Sequence, residues 1–208
     1  MRCFIFGAGE FKGTGFPCPS VNDLVIAADG GLAYAESMGI KPSVVLGDFD
    51  SLGEKPAGDY QILTFPPEKD YTDLMLAAEE GYNRGARTFY LLGATGGRMD
   101  HTLANIQVVV NLTRRGCKVY LVGNDYWISA VHNGKIELAS SLKGYFSLYS
   151  FSENCKGVSV KGAKYQVEDF TLRQDDPRAI SNEFTGETCS VSVEEGTLLL
   201  CIGDLNGI

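Results

Sequence analysis

The sequence predicts an N-terminal α/β domain built on a mostly parallel sheet, followed by a small all-β sandwich. Three observations carry this. Up to about residue 130, short β-rich runs alternate with helical patterns; beyond it the pattern becomes an apolar/polar alternation; and acids and glycines collect where the early strands end. The expected domains are 1–130 and 131–208. With 208 residues and 44% hydrophobic content, the chain has enough apolar material to bury a core in each.

The expected strands of the first half are Cys3–Phe6, Leu24–Ala28, Val44–Leu46, Phe89–Leu92 and Val119–Val122. Between the second and third, Leu32 to Met38 reads as a helix closed by Gly39 and followed by Pro42. Thr72 to Tyr82 reads as a second helix. Leu103, Ile106, Gln107 and Val110 place a third with one mainly apolar face. Strand and helix in this rhythm imply parallel strands covered on both faces. The second half alternates in Phe146–Phe151, Val158–Val160 and Ser190–Val193, and His132-Asn133-Gly134-Lys135 carries the Asn-Gly signal of a two-residue hairpin turn.

Charge and composition exclude several classes. A net charge of −8 and a pI near 4.8 argue against a general nucleic-acid surface, which needs clustered Lys and Arg. No segment reaches the length of a bilayer span. The six cysteines form no CxxC pair and only His101 and His132 are available to join them, so a zinc site is not expected. The run from Cys3 to Phe6 is too short for a signal-peptide core, and the cysteines read as buried, reduced thiols of a cytoplasmic protein.

Ligands of open parallel sheets bind beyond the carboxyl ends of the strands. Here those ends carry aspartate. Asp29 follows the second strand with Gly30 and Gly31 behind it; Asp48 and Asp50 follow the third; Asp70 and Asp73 precede the second helix; Gly93 to Asp100 follows the fourth strand. Single acids have plain alternatives: Asp70 as a helix cap, Asp73 as a first-turn acid, Asp100 as a cap of the third helix, Asp29 as a turn residue. Asp48 and Asp50 are different, because two carboxylates one residue apart repel unless a cation, a proton or solvent relieves them. A metal, a nucleophile and a proton relay all remain open for that pair.

The loop Gly93-Ala94-Thr95-Gly96-Gly97-Arg98 joins a strand to a helix, where free backbone N–H groups receive phosphate and Arg98 adds a fork of donors. It lacks the Gly-Lys-Ser/Thr ending of a Walker A motif. Gly7-Ala8-Gly9 reads as a tight turn, since Lys12 stands where a dinucleotide fingerprint has its third glycine. Acids and phosphate donors in one crevice suit a nucleotide bridged to protein by Mg²⁺.

Four motifs in series then resemble the thiamine pyrophosphokinase family: Ala28-Asp29-Gly30-Gly31, Gly47-Asp48-Phe49-Asp50-Ser51, Lys69-Asp70-Tyr71-Thr72-Asp73 and Gly96-Gly97-Arg98-Met99-Asp100-His101-Thr102. Gly162-Ala163-Lys164-Tyr165 and Ser181-Asn182 are similar to that family's vitamin-binding segments, so the resemblance spans nearly the whole chain. It implies a homodimer that moves a pyrophosphoryl group from ATP to thiamine and releases AMP. It further implies that Asp48, Asp50 and Asp73 hold Mg²⁺, and that Asp29, Gly30, Gly31, Lys69, Asp70, Thr72, Gly96, Gly97, Arg98, Asp100 and Thr102 form the nucleotide and phosphate site. Tyr165 would offer an aromatic face to the vitamin, and Ser181 and Asn182 hydrogen bonds. Asp70 and Asp100 both stand as candidate proton acceptors. Two rivals remain: a phosphohydrolase that passes through an aspartyl-phosphate, and a nucleotide-sensing module without catalysis.

Overall fold

A computed structural model of the chain describes residues 1–12, 15–48, 58–66, 68 and 70–203. Asp50 and Lys69 lie outside the described residues. Contacts divide the chain into two units, Met1–Val108 with Cys117–Asn124, and Val109–Gly116 with Asp125–Ile208.

In the first unit, six strands run parallel: β1 (Arg2–Phe6), β2 (Leu24–Ala28), β3 (Val44–Gly47), β4 (Gln61–Thr64), β5 (Thr88–Leu92) and β6 (Lys118–Val122). Their order is β6-β5-β1-β2-β3-β4. Every residue of β2 and β3 is buried, as strands covered on both faces require. Phe4, Tyr90 and Tyr120 stack across β1, β5 and β6 with centroids 4.8 and 5.2 Å apart. The succession β1 to β4 runs one way across the sheet and β5 to β6 the other, so the order reverses between β1 and β5. A crevice opens at such a switch point.

Three helices accompany these strands: α1 (Gly31–Ser37), α2 (Asp73–Asn83) and α3 (Met99–Arg114). α1 stops at Gly39, whose φ of 66° is the left-handed value a glycine terminator supplies. β4 escaped the sequence reading because its pattern, exposed at both ends and half-buried between, lacks an apolar run.

The second unit is β-rich: β7 (Tyr126–Leu138), β8 (Tyr145–Ser150), β9 (Asn154–Lys161), β10 (Val167–Arg173), β11 (Asn182–Glu183) and β12 (Cys189–Gly203). β12 pairs β9 through Ser190–Glu195 and β8 through Leu198–Gly203, with β7 along its other edge. Phe146 and Leu148 of β8 nevertheless share one buried cluster with Val158 and Val160 of β9. The two halves of β12 therefore serve one core.

The Asn-Gly hairpin does not form. His132 to Lys135 lie inside β7, and Asn133, at φ 43°, faces a break in register on β12 between Val193 and Thr197. The Asn133 side chain accepts a hydrogen bond from the Gly196 amide at 2.8 Å. The left-handed residue thus accommodates a bulge rather than a turn. The cysteine expectation also needs correction: all six thiols are free, but Cys18 is exposed and Cys201 half-buried. Among the described residues no helix is long and apolar enough to cross a membrane.

Candidate functional site

The reversal between β1 and β5 brings two glycine-bearing loops side by side. The amides of Gly7, Gly9 and Glu10 donate to the carbonyls of Leu92, Gly93 and Thr95 at 2.7, 2.7 and 2.8 Å. Such close backbone pairing excludes side chains: a Cβ on Gly9 would sit 2.5 Å from the Thr95 carbonyl oxygen. Gly7-Ala8-Gly9 is therefore one wall of the site, not merely a tight turn. The signal was its position after a strand; the absent third glycine hid it. Asn124, after β6, steadies the same loop by accepting from the Lys12 amide at 2.9 Å.

Between these loops lies a cavity of about 420 Å³. Of the residues the sequence singled out, Asp29, Thr72, Asp73, Gly96, Gly97, Arg98 and Thr102 line it. Glu10, Tyr34, His101 and Asn105 line it as well and were not anticipated. His101 stood within a quoted motif; Tyr34 and Asn105 had only helical spacing to announce them.

Asp29 takes φ 50°, and its amide donates to the Leu46 carbonyl of β3 at 2.8 Å. Gly31 behind it cannot be replaced, because a Cβ there would fall 1.9 Å from the Phe6 carbonyl oxygen. The helix cap of α2 is Thr72, whose Oγ1 accepts from the Met75 amide at 3.2 Å; this corrects the capping alternative for Asp70. Asp73 is the acid of the first turn, half-buried, where the helix dipole favours a carboxylate. Asn105 of α3 is buried and donates through Nδ2 to the Ala94 carbonyl at 2.8 Å, tying the β5 loop to the helix.

Among the described residues, Gly30, Gly31, Asp48, Asp70 and Asp100 are not part of the cavity wall. Asp48 is half-buried at the end of β3, and Asp70 is exposed. Asp100 turns to Arg98: Nε donates to Oδ1 at 3.1 Å and Nη2 to Oδ2 at 2.5 Å. That guanidinium holds the Asp100 carboxyl down to about 2. Both side chains are exposed, so the pair is readily exchanged for another partner. The described residues contain no group of three or more acids, histidines or cysteines spaced to hold a metal. Asp73 at the cavity and Asp48 at the end of β3 are carboxylates, the hard oxygen ligands that suit Mg²⁺ with retained water.

In the second unit the three singled-out residues have distinct environments. Asn182 clasps the backbone of Tyr165, accepting from its amide at 3.0 Å and donating to its carbonyl at 2.7 Å. The Tyr165 ring is exposed and has the Lys164 ammonium 5.4 Å from its centroid. Lys164 in turn pairs with Glu183 at 2.6 Å. Ser181 takes φ 58°, donates its backbone N–H to the Ser147 hydroxyl oxygen at 3.0 Å, and lines a separate pocket with Tyr145 and Phe184. The Asn182 amide is thus engaged in holding Tyr165.

Comparison with known proteins gives a consistent answer. Residues 20–121 match the family model described as thiamin pyrophosphokinase, catalytic domain, and residues 133–198 the model described as thiamin pyrophosphokinase, vitamin B1 binding domain. Over 183 residues the chain is 28% identical to a thiamine pyrophosphokinase of Bacillus subtilis, covering 85% of this chain and 86% of that one. The crystal structure of thiamine pyrophosphokinase from Bacillus subtilis superposes with a TM-score of 0.86 at 27% identity, covering 98% of this chain and 99% of that one. A thiamin pyrophosphokinase from Candida albicans shares the fold, with a TM-score of 0.72 at 16% identity over 98% of this chain and 90% of that one.

Proposed function

The chain belongs to the thiamin pyrophosphokinase family, and from that premise we propose that its cavity binds ATP for transfer of the β,γ-pyrophosphoryl group to the hydroxyl of thiamine. Its activity is that of a thiamine diphosphokinase, and the family uses ATP as donor. The observation that carries the site assignment is the cavity at the β1/β5 reversal, where a glycine-rich loop and Arg98 face Asp29 and Asp73.

In this reading the phosphates lie against the Gly96–Arg98 loop, whose amides and guanidinium are donors only. Asp48, Asp50 and Asp73 would hold Mg²⁺, which when bound would neutralise phosphate charge. Arg98 leaves Asp100 for the transferred group and stabilises charge there as the bond to the leaving AMP lengthens. Asp100 on Arg98 is a weak proton acceptor, because its affinity for a proton is depressed. Capture of Arg98 by phosphate removes the largest cause of that depression, and Asp100 is one candidate acceptor of the hydroxyl proton. Asp70, exposed before α2, is the alternative acceptor. Holding the hydroxyl in line with the phosphorus supplies most of the rate.

Tyr165 offers its exposed face to the cationic vitamin, a contact worth about 0.5–2 kcal/mol. That the Lys164 ammonium already lies over this ring supports the assignment. Ser181 offers its hydroxyl, and Asn182 keeps the Tyr165 backbone in place. The same reading has the chain act in the cytoplasm as a homodimer, and light scattering of the purified protein tests the dimer. The function itself is tested by incubating purified protein with ATP, Mg²⁺ and thiamine. AMP and thiamine diphosphate in equal amounts are expected; ADP with thiamine monophosphate refutes pyrophosphoryl transfer.

A further inference from the structure

The loop that offers its amides to phosphate has acidic partners within the chain. The Glu10 carboxylate accepts the Gly97 N–H through Oε1 at 3.2 Å. Its seat is shaped for it: a Cβ on Gly96 would lie 2.6 Å from Glu10 Cδ. Arg98 is likewise held by a carboxylate, that of Asp100. Two donors of the loop therefore rest on acids of the chain itself.

Resting on the ATP reading of this cavity, we propose that Glu10 sets nucleotide affinity by standing in for a phosphate: its carboxylate occupies the Gly97 amide and must swing away before a phosphate oxygen can take that donor. One N–H does not serve two anions at full strength, and a carboxylate left beside phosphate repels it. The geometry allows the exchange. The Glu10 backbone is fixed by its amide bond to the Thr95 carbonyl at 2.8 Å, whereas the residue is exposed, so the side chain can rotate into water while the loop stays put. Glu10 also lines the cavity together with Asp29 and Asp73, so its charge adds to a field that opposes an incoming polyphosphate. A placeholder of this kind lowers affinity for any ligand whose only attraction is its phosphates.

The test is calorimetric titration of wild type, Glu10→Gln and Glu10→Ala with two probes in Mg²⁺, α,β-methylene-ATP and inorganic pyrophosphate. Binding of both probes should tighten in both variants by about two- to fivefold, the upper part of the scale of one exposed charge interaction. Glu10→Gln keeps size and a neutral acceptor, so it separates charge from packing, and melting curves confirm that each variant is folded. Unchanged or weaker binding in Glu10→Gln overturns the proposal: unchanged binding makes Glu10 a loop brace, and weaker binding makes it a partner of metal or ligand. Titration reads Glu10 without turnover. Failure of wild type to form AMP from ATP and thiamine would count separately, against the functional reading.

Discussion

Replacing Asn105 tests whether the phosphate loop is held from α3. Asn105 is 8% exposed and its acceptor, Ala94, 2%, with 2.8 Å between Nδ2 and the carbonyl oxygen. Asn105→Ala leaves that buried residue's carbonyl without its side-chain partner, a loss of about 1–3 kcal/mol. For a chain of this size that corresponds to a fall in Tm of roughly 2–12 °C. Asn105→Asp is expected to be worse at neutral pH, since it sets a carboxylate against a carbonyl oxygen at hydrogen-bond distance. Because Ala94 lies within the loop running from Gly93 to Arg98, KM for ATP should rise several-fold in both variants, while KM for thiamine moves less. The assays are differential scanning calorimetry and steady-state AMP formation with each substrate varied in turn. An Asn105→Ala protein with Tm within about 1 °C of wild type and an unchanged KM for ATP would refute the reasoning.

Other expectations concern distinct parts of the chain. Asp23 is held well below the usual carboxylate range, first by the Arg2 guanidinium and then by Ser20, with Arg2 Nε at 3.0 and 3.1 Å and the Ser20 hydroxyl at 2.7 Å. A depressed folded value contributes stability above the unfolded value near 3.8 that disappears as pH falls through the folded one. Asp23→Asn should therefore lower Tm at pH 7, and the gap to wild type should narrow below about pH 4; a gap independent of pH refutes the linkage. Asn133→Ala loses both the bond to Gly196 and a tolerated left-handed residue, costing about 1–2 kcal/mol in denaturant melts, whereas Asn133→Gly relieves the backbone component. Asn182→Ala frees the Tyr165 backbone and should raise KM for thiamine several-fold with KM for ATP unaffected; equal effects on both would separate Tyr165 from the vitamin. Asp73→Asn should reduce kcat by at least about a hundredfold and shift the Mg²⁺ dependence to higher concentration, and wild-type Mg²⁺ titration in that variant would remove Asp73 from the metal.

The elements that were legible from sequence are those whose burial writes itself into composition. β2 and β3 read as uninterrupted apolar runs because both faces are covered, and α1 announced its end with Gly39. β4 carried no such run, and β11 is only two residues long. Asn133-Gly134 misled because a left-handed residue serves a bulge as well as a turn; which one forms depends on whether a partner strand, here β12, continues past it. In the site, Asp29, Asp73 and the Gly96–Arg98 loop were visible because parallel strands present their carboxyl ends to ligands. Glu10 and Asn105 were not, since their roles arise from contacts 87 and 11 residues away in the chain. Asn182, expected to offer hydrogen bonds to the vitamin, also clasps the Tyr165 backbone, a pairing across 17 residues that no local pattern signals.

The central claim is that the cavity between the β1 and β5 loops delivers two phosphoryl units of ATP together. ATP labelled at the β-phosphorus, incubated with the purified protein, Mg²⁺ and thiamine and separated by chromatography, measures this directly. The account predicts that the label leaves the nucleotide and appears in thiamine diphosphate, with unlabelled AMP formed in the same amount. Label retained in ADP, with thiamine monophosphate as the product, would contradict it.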